Sequence, residues 1–145
     1  MQTSSTLTSS GGAQAPIRAI LVEDSHVIRD SLIQTLAELA NTEVVAWGAD
    51  PAEARQALTD WHGQWEVIVI DLFLASGTGL DVLKVIRQRD PWQKAFVLSN
   101  YATADMRRRC FELGADAIFD KSTEIEMFLD RCVALDRKLS GQTPS

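Results

Sequence analysis

Val67-Ile68-Val69-Ile70-Asp71 sets four β-branched residues in a row ahead of a carboxylate. Such a run cannot alternate between an apolar and a polar face. It predicts a strand buried on both sides, as in a parallel sheet covered by helices. The acidic residue then stands where that strand leaves the core.

Outward from this strand one pattern repeats. Upstream, Ile17 to Val22 is an apolar run ending at Glu23-Asp24. A helix follows from about Val27 to Ala40, with Ser25 at its N-cap and Ile28, Leu32, Leu36 and Leu39 recurring on one face. Glu43 to Trp47 is short and β-prone. Asp50-Pro51 starts a second helix, because Asp caps well and Pro is pre-set for the first helical position. That helix should end near Asp60 to Gly63.

Downstream, the loop Leu74 to Thr78 leads to Gly79, which opens a helix carrying Leu80, Leu83 and Ile86 and stopped at Asp90-Pro91. Ala95 to Leu98 is a further buried strand, ending at Ser99. Thr103 to Leu113 is helical and closes on Gly114. Ala117 to Phe119 is the last strand. Thr123 to about Leu139 is the last helix, with Ile125, Phe128, Leu129, Cys132 and Leu135 on one face. Strand-helix alternation of this kind implies a doubly wound α/β domain with a parallel sheet.

Composition sets outer limits. The 145 residues suit one domain, and 46% hydrophobic content is ordinary for a globular chain. A formal net charge of -6 argues against binding nucleic acid through its phosphate backbone. The two cysteines, Cys110 and Cys132, are far apart and sit in amphipathic helices, so they read as reduced, small apolar residues of a cytoplasmic protein. No apolar run reaches the length of about 20 residues that a membrane span needs. The leader to Pro16 is rich in Ser, Thr, Gly and Ala and lacks a signal peptide's basic start and apolar stretch.

In open parallel sheets, ligands bind beyond the carboxyl ends of the strands. Here those ends carry Glu23 and Asp24, Asp71, Ser99 and Lys121. Three carboxylates brought to one rim should raise at least one pKa unless a positive charge intervenes. A hard divalent cation, magnesium above all, answers that crowding. Lys121 adds a fixed positive charge and Ser99 a hydroxyl. A carboxylate can act as a covalent nucleophile, and a cation, an ammonium and a hydroxyl at fixed positions suit a transferring phosphoryl group. Alone, each of these residues reads as a turn former, a cap or a solvated charge. Their joint placement on four strand ends is what points to phosphoryl chemistry.

Over Ile17 to Leu139 the sequence resembles the response-regulator receiver family. The pieces that carry the resemblance are ILVEDS, VIVIDLFLASGTGLDVL, AFVLSNY and GADAIFDKS. It implies a flavodoxin-like (βα)5 sandwich with strand order 2-1-3-4-5. Residues 17–139 would form the receiver domain, between a disordered leader, 1–16, and a disordered tail, 140–145. Glu23, Asp24 and Asp71 would bind Mg2+ with the backbone carbonyl of Phe73. Asp71 would take the phosphoryl group, Ser99 would swing toward it and Lys121 would contact it. The resemblance implies a signalling phosphoacceptor rather than a turnover enzyme, with intrinsic Mg-dependent self-phosphorylation and autodephosphorylation. Its partners would be a sensor histidine kinase or histidine phosphotransfer protein and a downstream protein. That protein, or a second copy in a homodimer, would meet the face of the fourth helix, fifth strand and fifth helix. No membrane or direct nucleic-acid contact is implied for this chain.

Four positions depart from the family pattern. Ser122 follows the lysine and Ala75 stands four residues after Asp71, both where Pro is common. Asn100 follows the hydroxyl residue in place of Ala or Gly, and Ile118 occupies the position of a rotating aromatic, with Phe119 beside it as a strand-core residue. His26 reads as a polar residue of a first helical turn, Trp61 and Trp65 as caps on the sheet edge, and Arg107 to Arg109 as a solvated helix face. Three other functions compete. A receiver cut from a longer DNA-binding regulator would share every feature above. A flavodoxin-like cofactor binder needs backbone donors after the first strand, where this chain has Glu23-Asp24. A phosphatase with an aspartyl-phosphate intermediate needs a second carboxylate where Phe73 stands.

Overall fold

The computed structural model describes residues 15–142, with side chains as far as Leu135. Nearly all of the expected leader and residues 143–145 of the expected tail lie outside the described residues. Five strands, β1 (Ile17–Val22), β2 (Thr42–Gly48), β3 (Val67–Asp71), β4 (Lys94–Ser99) and β5 (Ala117–Asp120), alternate with five helices, α1 (His26–Leu39), α2 (Pro51–Asp60), α3 (Gly79–Val85), α4 (Ala104–Glu112) and α5 (Ile125–Gln142). All strand pairs are parallel, in the order β2-β1-β3-β4-β5. This is the doubly wound α/β, flavodoxin-like order expected from the sequence.

Every residue of β3 is buried, as its unbroken β-branched run requires. Ile68 and Ile70 face one core with Ile20, Val22, Val97 and Ile118, under α2, α3 and α4. Val67 and Val69 face the other with Leu21, Phe96 and Phe119, under α1 and α5. Phe119 meets Phe96 and Phe128 edge-on, so it is a core residue. Cys110 and Cys132 lie one in each core, where burial pushes their thiols up to about 11 and about 12.

Two helix starts are fixed by the side chains expected to fix them, Ser25 and Asp50, and two more by Thr78 and Thr103, whose capping was not expected. Ser25, Asp50, Thr78 and Thr103 each accept an N–H from the first turn, and Thr78 and Asp81 form a reciprocal capping box. Gly114 adopts φ 101° just past α4, the left-handed conformation that glycine permits there.

Three expectations need correction. The apolar face assigned to α1 is shifted: Leu32 and Leu36 are buried, whereas Leu39 is 64% exposed. The buried stripe runs from Leu32 through Leu36 toward Ala40 and Ile33; at 100° per residue, Leu39 and Ile28 lie about 60° and about 80° from Leu36 on the opposite side to Ile33 and Ala40. The last helix starts at Ile125, because Asp120 first closes a turn by accepting the N–H groups of Ser122 and Thr123. It also runs on to Gln142, into the expected tail. Trp65 is not an edge cap but part of the core, with Trp61 packed against it. Among the described residues no helix is long and apolar enough to cross a membrane.

Candidate functional site

The strand order reverses between β1 and β3, so their carboxyl ends flank the crevice where such sheets bind ligands. Asp71 closes β3 and is 8% exposed. Glu23 follows β1, fixed by its N–H on the Gly48 carbonyl, and is 3% exposed. One carboxylate oxygen from each of Glu23, Asp24 and Asp71 lies within 4.8 Å of the others. The expected acidic cluster is therefore assembled.

The remaining site residues converge on it. Lys121 Nζ, on the turn after β5, is 2.8 Å from Glu23 Oε1 and 3.3 Å from Asp71 Oδ2. Ser99 is fully buried at the end of β4, and its carbonyl accepts the Lys121 backbone N–H. The Ser99 hydroxyl accepts Tyr101 N–H at 2.9 Å, and as a hydroxyl it also carries an O–H donor. Phe73 N–H donates to Asp71 Oδ1 at 3.3 Å. Phe73 thus stands beside the site, and its ring meets that of Tyr101 edge-on with centroids 5.2 Å apart.

Three carboxylates against one ammonium leave an excess of negative charge in a buried place. Desolvation, together with the Glu23 charge and against the pull of Lys121, raises the Asp71 carboxyl to about 6. The donor set fits a small hard cation, since all its atoms are carboxylate oxygens and their crowding is what such an ion relieves.

Two of the departures from the family pattern have a structural consequence. Ala75 donates its backbone N–H to Asp24 Oδ2 at 2.6 Å, tying the loop after β3 to the loop after β1. Ser122 donates its N–H to Asp120 Oδ1 at 2.7 Å, which shapes the turn carrying Lys121. A proline at either position has no N–H to give. Ile118 is buried in the core on the α4 side, so no ring can rotate at that position.

Sequence reasoning missed several neighbours. Tyr101 is one: an aromatic two residues past Ser99, it mirrors Phe73 two residues past Asp71. Arg107 reads in the sequence as part of a solvated face. Arg108 and Arg109 are exposed, but the Arg107 guanidinium is spent on Ala102 O, Ile118 O and Glu124 Oε1. No local pattern marks those partners, because two of the three are backbone carbonyls.

Comparison with known proteins bears on the family and the fold. Residues 19–132 match the family described as response regulator receiver domain. The chain is 31% identical over 102 residues to a protein-glutamate methylesterase/protein-glutamine glutaminase of Caulobacter vibrioides, covering 70% of this chain and 29% of that one. It is 28% identical over 126 residues to the transcriptional regulatory protein CiaR of Streptococcus pneumoniae, covering 87% of this chain and 54% of that one. The chain therefore spans about half the length, or less, of these relatives. Among solved structures, the non-phosphorylated HemR receiver domain from Leptospira biflexa superposes with a TM-score of 0.71 at 28% identity, covering 83% of this chain and 94% of that one.

Proposed function

The chain belongs to the response regulator receiver family, a family of signalling phosphoacceptors, and on that footing we propose that it accepts a phosphoryl group on Asp71 in a magnesium-dependent reaction. The observation that carries this reading is the buried Asp71 carboxylate beside two further carboxylates and one ammonium. The donor is a histidine kinase or histidine phosphotransfer protein. An Asp71 oxygen attacks phosphorus, the bond from phosphorus to the donor imidazole nitrogen breaks, and the imidazole leaves.

Each residue has a part in this step. At neutral pH most of Asp71 is ionised, since its carboxyl titrates at about 6, so the nucleophile is available. Glu23, Asp24 and Asp71 would hold magnesium, with the Phe73 backbone carbonyl as a further ligand. The ion supplies neutralisation of the charge on the phosphoryl oxygens. Lys121 turns from Glu23 toward the new phosphoryl oxygens, and the Ser99 hydroxyl donates a hydrogen bond to one of them. Drawing Ser99 inward pulls on the loop to α4. The phosphorylated state is then read by a downstream protein, or a second copy, at the face of α4, β5 and α5. Self-phosphorylation from small donors and autodephosphorylation belong to the same site, and the setting is cytoplasmic.

The length of the relatives favours one further reading, in which these residues are the receiver part of a longer regulator with an effector domain. The chemistry at Asp71 is the same in both. Incubation with acetyl phosphate and magnesium, followed by peptide mass spectrometry, tests it. One phosphoryl group should map to Asp71 and be lost in Asp71→Asn and in excess chelator. Undiminished phosphorylation of Asp71→Asn refutes the assignment.

A further inference from the structure

Ser99 ends β4 and Lys121 lies on the turn after β5, and the two must keep their relative position for one phosphoryl group to meet both. Their direct link is a single backbone bond, Lys121 N–H to Ser99 O at 2.9 Å. A second link runs through Arg107 on α4. Its Nε donates to Ala102 O at 2.9 Å, in the loop that leaves Ser99. One terminal nitrogen donates to Ile118 O on β5 at 3.1 Å. The other donates to Glu124 Oε1 at 2.9 Å. Glu124 Oε1 also accepts the Asp120 N–H at 2.8 Å, and Asp120 Oδ1 in turn holds Ser122 N–H and Thr123 N–H. The turn bearing Lys121 is thus clamped on both sides, and the clamp is anchored to the Ser99 loop by one planar, rigid fork of donors.

We propose that Arg107 is a positioning residue for the phosphoryl site. With Glu124 and Asp120 it brackets the Ser99 loop to the Lys121 turn, so that the two side chains reach the phosphoryl group together. The bracket does the work that a proline after the lysine would do by stiffness. Because Arg107 also holds Ala102 O, an inward move of Ser99 is passed to α4 through it as well as along the chain through Tyr101 and Thr103. The inference rests on the proposed phosphoryl chemistry for its catalytic arm only.

Amide exchange and acetyl-phosphate uptake on the same variants test it. In Arg107→Ala, the Tyr101 and Lys121 amides should exchange at least tenfold faster, while those of Val69 and Ile70 in β3 stay within twofold of wild type. Uptake at saturating donor should slow at least fivefold without a change in half-saturating donor concentration. Glu124→Gln keeps an oxygen for both Asp120 N–H and Arg107, so it should remain within twofold of wild type in each assay. Equal exchange at Tyr101 and Lys121 in Arg107→Ala and wild type overturns the bracket. So does acceleration spread evenly into β3. If wild type shows no uptake at Asp71, the functional reading falls, and exchange alone still decides the bracket.

Discussion

Lys121 Nζ lies nearer to Glu23 Oε1, at 2.8 Å, than to Asp71 Oδ2, at 3.3 Å. Both carboxylates are buried, so one ammonium is shared between two charges largely withdrawn from water. Removing one partner of a buried ionic cluster costs more than the cluster contributes, because charge is left uncompensated. Lys121→Ala should therefore lose about 3 kcal/mol of stability in chelator. Magnesium should stabilise Lys121→Ala more than wild type, since it brings charge to the same carboxylates. Urea midpoints with and without magnesium measure both effects, and equal magnesium shifts in the two proteins would contradict this account of the site.

Asp71 gives the site a pH dependence of defined sign. Its folded carboxyl titrates at about 6, above the ordinary value of 3.8, so the folded chain holds that proton more tightly than the unfolded one. The contribution is fully present below about pH 4 and is lost as pH rises through about 6. In chelator, wild type should lose about 1–2 kcal/mol relative to Asp71→Asn across that window, once solvent screening is allowed for. Denaturant titrations at pH 4 and pH 7 check it. A wild-type protein that gains on Asp71→Asn over the same interval would show that burial does not govern this carboxyl.

Gly79 is fixed by space. A Cβ there would sit 2.5 Å from the Asp71 carbonyl oxygen and 2.9 Å from Leu72 Cα, both backbone atoms that cannot turn aside. The Gly79 N–H also donates to Leu72 O, which holds the chain close. Gly79→Ala should cost about 1–3 kcal/mol by overpacking. It should also slow phosphoryl uptake, because the displaced backbone carries Asp71. Thermal unfolding and acetyl-phosphate labelling together decide; a variant as stable and as reactive as wild type would show that the loop yields without cost.

Much of this was legible in the sequence because it follows from periodicity and from strand ends. The β-branched run at Val67 to Ile70 could only be an inner strand, and Asp71, Glu23, Ser99 and Lys121 stand where such strands stop. What escaped is what backbone groups contribute. Ala75 matters through its N–H to Asp24, and Arg107 through two carbonyls it reaches from another element, neither of which side-chain identity displays. Leu39 misled for a related reason. A helix shows a fixed angular pattern, but which edge of its apolar arc meets the sheet is set by docking, and there Ile33 and Ala40 took the place expected for Leu39.

The route of the signal follows from the bonds Ser99 makes. Its hydroxyl accepts Tyr101 N–H, and the Tyr101 carbonyl accepts Thr103 N–H, the cap of α4. If Ser99 turns inward to a phosphoryl oxygen, the first of these bonds must lengthen and the start of α4 must follow. Tyr101 also rests edge-on against Phe73, so the motion is felt on the loop after β3. A buried Ile118 offers no rotating ring, which leaves displacement of the loop and helix as the means of coupling. A partner then shifts the balance only through tighter binding to the displaced form. Beryllofluoride with magnesium should move NMR signals and amide exchange chiefly within residues 100–125, with the ring of Tyr101, the sole tyrosine, among the largest shifts. Changes confined to α1 and α2, with residues 100–125 still, would place the output elsewhere on the domain.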